Sequence, residues 1–206
     1  KCPSVFFPAG TYKAVSFKER NAVVLFATAI QCPNCTGHSM ELDWKDRITK
    51  FQRQQNIGAM FVFNGADNKW AWASIESGAP GQRRRQFGFV KNGQNSVLVL
   101  GGNDGVQSLD SRWEGTIVKD NVRAWAFADV KADTGPEIPG RFESGITGSA
   151  RGGVLLFGGF AAEASSPGRE ECEALTDHLW YLDARSKSWV RVDNKTELWP
   201  PKHHRG

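Results

Sequence analysis

The chain has 206 residues, of which 40% are hydrophobic and 23% are charged, and it contains 22 glycines and 8 tryptophans. This composition is typical of a globular domain and excludes an intrinsically disordered chain. The net charge of +4 is too small to indicate a nucleic-acid-binding protein by itself. The longest apolar run, residues 22–30, is too short for a transmembrane helix, so we expect no membrane span.

The start of the chain and its cysteines bear on processing and compartment. The chain begins at Lys1 without a signal-like leader, so we expect a processed product or a part of a longer protein. Too few cysteines are present for a disulfide-framed scaffold, although their even number permits two bridges. They are Cys2, Cys32, Cys35 and Cys172. Glycosylation sequons at Asn34 and Asn194 permit secretion, so the sequence is compatible with a cytoplasmic or a secreted protein.

Residues 10–83 form the first of three similar units. A strand-like segment around Val15 precedes the apolar run that ends at Ala27. An alternating segment at residues 60–64 predicts a third strand, and Trp70 follows its last residue by six positions. The unit therefore has four short predicted strands, interrupted by a long loop.

That loop, residues 28–59, contains Cys32-Pro33-Asn34-Cys35 and then an apolar stripe that predicts a short amphipathic helix within residues 39–55. A strand, a CxxC motif and a helix in this order resemble a thioredoxin active site, which makes thiol-disulfide oxidoreduction by Cys32 and Cys35 an alternative function. We favour a local disulfide or a free thiol pair, because the flanking strands belong to the repeat. His38 and Cys172 could add ligands to this pair, but no second CxxC follows at zinc-ribbon spacing, so we predict no metal site.

Two further units follow, at residues 84–140 and 141–201. Their second strands end in glycine doublets, Gly101-Gly102 and Gly158-Gly159. The segments 116–120 and 179–183 predict their third strands. The same interval of 12 residues recurs in all three units. It separates Val15 from Ala27, Phe89 from Gly101, and Ile146 from Gly158. Four short strands with a glycine and aromatic signature are typical of a β-propeller blade.

The repeated residues resemble those of the kelch-repeat β-propeller family, which has a basic residue after a Pro-Gly turn, a glycine doublet, and a tyrosine before a tryptophan. The residues that carry the resemblance are Arg84, Arg141, Gly101, Gly102, Gly158, Gly159, Tyr181, Trp70, Trp125 and Trp189. The first unit is degenerate, with Gly10 in place of the arginine and Ala27-Thr28 in place of the glycines. We interpret the repeated residues as structural, with each tryptophan filling the wedge between neighbouring blades.

The resemblance implies an all-β, kelch-type propeller, present as a partial ring of about three four-stranded blades with one short helix in a long loop. Residues 1–9 would form an overhang, and residues 202–206 would begin a further blade. Because closed propellers have about 4 to 8 blades, we expect an open half-ring. Its exposed blade edges would be covered by remaining blades, by a partner or by self-association.

The predicted function is protein recognition, because in such blades the variable connections emerge on one face. A basic patch on that face would bind an acidic partner protein. The predicted binding residues are Arg83, Arg85, Lys202, His203, His204 and Arg205. Nucleic acid is not the expected partner, because no stacking aromatics are interleaved with these residues. The chain would serve as a scaffold or adaptor and not as an enzyme.

Some propellers of this kind resemble copper radical oxidases, which form a weaker alternative. Such a site needs a tyrosine crosslinked to a cysteine, a second tyrosine and two histidines. The tyrosines of this chain, Tyr12 and Tyr181, both fall at predicted strand positions, which argues against the oxidase. No phosphate-binding loop, dinucleotide fingerprint, nucleophile elbow or HExxH motif occurs, so no cofactor is predicted.

Overall fold

The protein is all-β in the part of the chain that the computed structural model describes. That part comprises residues 12–28, 59–78, 80, 84–104, 108–130, 138, 140–148, 153–162, 173–183, 185–186 and 188–192. These residues form fifteen β-strands and one 3-10 turn at Lys18–Arg20, with no α-helix among them. The predicted all-β class is therefore confirmed. The helix predicted within residues 39–55 lies outside the described residues.

Twelve of these strands form three antiparallel units of four. The first unit comprises β1 (Tyr12–Phe17), β2 (Ala22–Ala27), β3 (Ala59–Asn64) and β4 (Lys69–Ser77). The second comprises β5 (Gly88–Lys91), β6 (Ser96–Leu100), β7 (Arg112–Val118) and β8 (Asn121–Asp129). The third comprises β10 (Gly145–Gly148), β11 (Val154–Phe157), β14 (Leu179–Leu182) and β15 (Trp189–Val192). The third strands expected from the alternating segments coincide with or overlap β3, β7 and β14.

The remaining strands form a small sheet beside the third unit. They are β9 (Arg141–Phe142), β12 (Phe160–Ala162) and β13 (Glu173–Leu175), in the order β13-β12-β9. The rings of Phe142 and Phe160 stack across this sheet with their centroids 5.2 Å apart. The sheet thereby joins the connection that precedes β10 to the connection between β11 and β14.

The first two units share one eight-stranded sheet, in the order β1-β2-β3-β4-β8-β7-β6-β5. They are joined by a parallel pairing of β4 with β8, and the edge strands β1 and β5 also contact each other, so the sheet is nearly closed and barrel-like. Gly78 directly follows β4 and has a φ of +57°. A Cβ on this residue would lie 1.9 Å from the carbonyl oxygen of Phe127. Only glycine allows the two strands to approach this closely. The expectation of separate blades is therefore not met by these two units.

A buried hydrophobic core lies at each of the two interfaces between the three units. The first core lies between the first and second units and contains Val24 and Met60 on one side and Phe89 and Trp125 on the other. The second core lies between the second and third units. Because β6 lies between both cores, its run Val97, Leu98, Val99 and Leu100 is buried on both faces of the strand. This explains why that strand is continuously apolar instead of alternating.

The connections between strands emerge at two opposite edges, because neighbouring strands within each unit run antiparallel. We call one the turn edge, where β1 joins β2, β3 joins β4, β5 joins β6, and β7 joins β8. There Arg20 donates hydrogen bonds to the side chains of Asp120 and Asn95, and Lys91 pairs with Glu19. We call the other the loop edge, where the connections from β2, β4, β6, β8 and β11 emerge.

Candidate binding edge

The connections of the loop edge are linked to one another by hydrogen bonds. The Thr28 hydroxyl donates to the carbonyl oxygen of Arg84, which ties the first unit to the second. The amide of Gly102 donates to the carbonyl oxygen of Arg141 over 2.7 Å, which ties the second unit to the third. The Ser144 hydroxyl donates to the carbonyl oxygen of Gly158 over 3.0 Å within the third unit. These bonds hold the loop edge in one arrangement.

Arg84 lies beneath this edge with only 1% of its surface exposed. Its Nη1 donates to the carbonyl oxygen of Gly101 over 2.9 Å, and its Nη2 donates to the Ser111 hydroxyl over 3.0 Å. Its Nε is buried without a hydrogen-bond partner among the described residues. Burial lowers the pKa of Arg84 to about 10, because the charged form is poorly solvated there. The guanidinium is still protonated at neutral pH and adds positive charge to this edge.

Arg141 occupies the corresponding position at the start of the third unit and is also buried. Its guanidinium lies over the ring of Trp180, 5.9 Å from the ring centroid, which is the geometry of a cation–π contact. Burial, together with repulsion from Arg191, lowers the pKa of Arg141 to about 10. Its amide donates to the carbonyl oxygen of Leu109, so the backbone of this arginine also belongs to the network of the loop edge.

Arg85 differs from its neighbour because its side chain is exposed. Its backbone is nevertheless held on both sides by Asn103. The Arg85 amide donates to the Asn103 carbonyl oxygen over 2.8 Å, and the Asn103 amide donates back over 2.9 Å. The next residue, Gln86, bonds through its side-chain amide to the Glu143 carboxylate. An exposed guanidinium therefore projects from a fixed backbone at the loop edge.

The two glycine doublets lie directly under this arrangement. All four glycines have positive φ, from +55° at Gly101 to +101° at Gly102. A Cβ on Gly101 would lie 2.3 Å from the carbonyl oxygen of Arg141, and a Cβ on Gly159 would lie 2.5 Å from that of Phe142. The first doublet thus allows the second unit to pass close to the third, and the second doublet allows two connections within the third unit to pass close to each other, which other residues would prevent.

Charges of both signs occur at the loop edge. Besides the three arginines, the described carboxylates there include Asp104, Asp110, Glu143 and Asp177. No group of three or more His, Cys, Asp or Glu side chains suited to a metal ion occurs among the described residues. The loop edge is therefore a polar surface that carries charges of both signs, on a backbone held by hydrogen bonds.

Comparison with known proteins does not assign this chain to a family. No family model matches the chain, and no curated protein matches it. In the described part of the chain, no helix is long and apolar enough to cross a membrane.

Several predicted site residues cannot be placed by this geometry. Those that lie outside the described residues are Arg83, Lys202, His203, His204, Arg205, Cys32 and Cys35. Of the predicted binding patch, the structure describes Arg85 alone. The terminal basic residues and the two loop cysteines lie outside the described part of the chain, so no contact between Arg85 and those basic residues, or between the two cysteines, is described.

The repeated aromatic residues lie on the outer strands, away from the loop edge. Trp125 and Trp189 are buried in the first and second cores, and Tyr181 lies in β14. Trp70 is 55% exposed, so among the described residues it does not fill a wedge between units as expected. It points to the side of the first unit that faces away from the second.

Sequence reasoning missed the polar residues that hold the arginines. The Thr28 hydroxyl donates to the carbonyl oxygen of Arg84, and the Ser111 hydroxyl accepts from the Arg84 guanidinium. The backbone of Asn103 pairs with that of Arg85. Asn103 and Ser111 lie in the connection between β6 and β7, where no repeat interval marks them, whereas Thr28 takes the place of a doublet glycine and its sequence position does not indicate a hydrogen bond. A polar residue in a surface loop is ordinary, and only the three-dimensional contact distinguishes these three.

Proposed function

We propose that this chain is a protein-recognition module built on a kelch-type propeller segment, and that its loop edge binds the partner. Three four-stranded antiparallel units whose first strands β1, β5 and β10 are neighbours support the propeller. The glycine doublets, which follow β6 and β11, support the kelch assignment. The joined sheet of the first two units is a departure from separate blades, and it stiffens that part of the scaffold.

The observation that carries the recognition function is the contrast between Arg84 and Arg85. The first guanidinium is buried and anchors its segment to Gly101. The second is exposed, and its backbone is fixed by the paired hydrogen bonds to Asn103. Little backbone entropy is lost when a partner binds a side chain that projects from a fixed backbone. A guanidinium in this position suits bidentate recognition of a carboxylate on an acidic protein partner.

The mixture of charges favours a protein partner over nucleic acid. Nucleic-acid binding requires an extended surface of one sign, because its affinity comes mainly from phosphate neutralisation. The described part of the loop edge instead contains carboxylates as well as Arg85, among them Asp104 and Asp110 in the connection between β6 and β7. Charges of both signs at a binding surface suppress wrong partners and fix the orientation of the right one. No chemical step is needed for this function.

The proposal is tested with an acidic probe, a fluorescein-labelled peptide rich in glutamate, whose binding is measured by fluorescence anisotropy. We expect Arg85→Glu to weaken binding by about tenfold, which corresponds to about 1.4 kcal/mol. The matched control is Arg185→Glu, because Arg185 is an exposed arginine in the β14–β15 turn at the opposite edge. This control has the same change in net charge and should bind like the parent chain.

The outcomes separate recognition from general electrostatic attraction. A selective loss with Arg85→Glu, together with weaker binding at higher salt, supports the proposal. Equal losses with both variants would mean that the peptide responds only to net charge. Unchanged binding with Arg85→Glu would remove the loop edge from consideration. A pull-down from a cell extract with the same two variants extends the test to natural partners.

A further inference from the structure

One tryptophan of the repeat is exposed although its counterparts are buried. In the third unit Trp189 pairs with Leu182, the residue before the turn, and in the first unit Trp70 pairs with Phe63 in the same way. Trp189 is 3% exposed and packs toward the second unit, and Trp125 is 0% exposed and packs toward the first. Each of these two therefore points toward the preceding unit. Trp70 points to the side on which the described chain has no preceding unit.

Trp70 belongs to an aromatic surface on the outward face of the first unit. The rings of Phe63 and Trp70 are 5.4 Å apart, and those of Phe61 and Trp72 are 4.9 Å apart. We call these four residues the aromatic end. None of them belongs to the two buried cores formed by the described residues. A cluster of this kind on the flat face of a sheet is typical of an interaction surface.

The outward face of the third unit is apolar as well. Val190 is 51% exposed and Val192 is also exposed, and both lie on the face of β15 opposite to Trp189. Leu179 pairs with Val192, and Leu155 lies on the same face through its pairing with Tyr181, the partner of Val190. We call Leu155, Leu179, Val190 and Val192 the aliphatic end.

The repeat interval identifies the residues of the first two units that correspond to Leu155, and the next unit covers those residues. Leu155 lies three residues before Gly158, as Leu98 lies before Gly101 and Val24 before Ala27. Val24 and Leu98 are fully buried against the following unit, whereas Leu155 is only half-buried. The third unit therefore presents the face that its two predecessors use to bind the unit that follows.

The two internal interfaces use corresponding faces of the units. The preceding unit contributes Val62 together with Phe26 at the first interface, and Leu98 at the second. The following unit contributes tryptophans of its outer strands, which are Trp125 at the first interface and Trp180 and Trp189 at the second. The aromatic end corresponds to the face by which the third unit packs on the second, and the aliphatic end corresponds to the face that receives a following unit, so one chain carries both halves of such an interface.

We infer that a second copy of this chain covers both ends, with the aromatic end of each copy packed on the aliphatic end of the other. Two copies related by a twofold axis would form two identical contacts of this type and would leave neither end exposed. The resulting ring would have six units, which lies within the range of about 4 to 8 found in closed propellers. This inference rests on the packing of the units and not on the recognition function of the loop edge.

The test measures the mass of the 206-residue chain in solution by light scattering during size-exclusion chromatography. We expect a species of twice the 22.8 kDa mass of one chain. Trp70→Asp and Val190→Asp should each give the single-chain mass, because each places a charge in both contacts. Thr116→Asp is the matched control, since Thr116 is exposed on β7 of the middle unit. It should keep the double mass.

Mixing the two variants gives the decisive measurement. A chain with Trp70→Asp keeps its aliphatic end, and a chain with Val190→Asp keeps its aromatic end, so a mixture retains one intact contact per pair. We expect the mixture to recover the double mass at higher concentration than the parent requires. Recovery also demonstrates that both variants are folded, and circular dichroism of each variant checks this independently. Trp70→Ser and Val190→Ser, which add no charge, should weaken association in the same direction.

Three results would overturn the inference. The first is a parent chain of single mass at every concentration. The second is loss of association with Trp70→Asp but not with Val190→Asp, since this would indicate contact between two aromatic ends. The third is a mixture of folded variants that stays at single mass. Retained or lost binding of the acidic peptide has no part in this test, so the two proposals can fail separately.

Discussion

The Nη1 of Arg84 donates a hydrogen bond to the carbonyl oxygen of Gly101 over 2.9 Å, in a site where the arginine is 1% exposed. This bond joins the segment that enters the second unit to the glycine doublet at the end of β6. No ion pair among the described residues includes Arg84, so these residues stabilise its charge through hydrogen-bond acceptors and not through a carboxylate. Buried charge held in this way is costly, which indicates that its hydrogen bonds are important to the fold.

Substitution of this arginine should be strongly destabilising. Arg84→Ala leaves the Gly101 carbonyl oxygen without its donor and creates a cavity beneath the loop edge. We expect the free energy of unfolding to fall by about 3 kcal/mol. Urea denaturation followed by circular dichroism measures this change. Arg185→Ala, at an exposed turn position, should change stability by no more than about 0.5 kcal/mol. Similar effects of the two substitutions would contradict the anchoring role of Arg84.

The depressed pKa of Arg84 predicts a stability change in alkaline solution. The pKa is about 10 in the folded state against an ordinary 12.5, so between these values the unfolded state binds the proton more tightly. The stability contribution of Arg84 therefore increases as the pH rises through this window, because neutralisation relieves the cost of the buried charge. The unfolding free energy of the parent should rise relative to that of Arg84→Met from about pH 9 to about pH 11. A constant difference over this range would contradict the prediction.

The repeat interval was sufficient to locate the first two strands of each unit. Val15, Phe89 and Ile146, which are equally spaced from Ala27, Gly101 and Gly158, all lie in the first strand of their unit. The interval is informative because a hairpin of fixed length has a fixed register. Alternating hydrophobicity then locates the third strands, since one face of each is buried.

Long-range relationships were not predictable in the same way. The parallel pairing of β4 with β8 depends on a close approach at Gly78, and a single glycine after a strand is equally typical of an ordinary turn. Trp70 has the same sequence signature as Trp189, and only the number of neighbouring units determines its exposure. The contact of Arg84 with Ser111 joins connections of unequal length, so no spacing could reveal it.

Glycine substitutions should separate steric from conformational effects. Gly101→Ala combines a φ of +55° with a Cβ placed 2.3 Å from the carbonyl oxygen of Arg141. We expect it to lower the free energy of unfolding by about 3 kcal/mol or more. Gly93→Ala has a φ of +93°, but its Cβ would lie 4.0 Å from the nearest atom, the Ser96 Oγ, so it should cost about 1 kcal/mol. Gly145→Ala has neither constraint and should lie within about 1 kcal/mol of the parent. Equal effects at Gly101 and Gly145 would contradict the close approach of the units.

The turn edge predicts a small loss of stability in acid. The hydrogen bond from Lys91 lowers the pKa of Glu19 below its ordinary value of 4.5. For a carboxylate whose pKa is lower in the folded state, the stabilisation is present above pH 4.5 and is lost as the pH falls through the folded pKa. Because both side chains are partly exposed, the contribution should be less than about 1 kcal/mol and should decrease with salt.

Comparison with Glu19→Gln measures that contribution. Above pH 4.5 the parent should be slightly more stable than this variant in urea denaturation, and the difference should disappear in more acidic solution. Glu76→Gln is the control, because Glu76 accepts a hydrogen bond from Ser74 within its own strand and does not join two units. If the difference between the parent and Glu19→Gln persists below the folded pKa, the stabilisation comes from packing and not from the ion pair. If salt leaves it unchanged above pH 4.5, the link between β5 and the β1–β2 turn is not electrostatic.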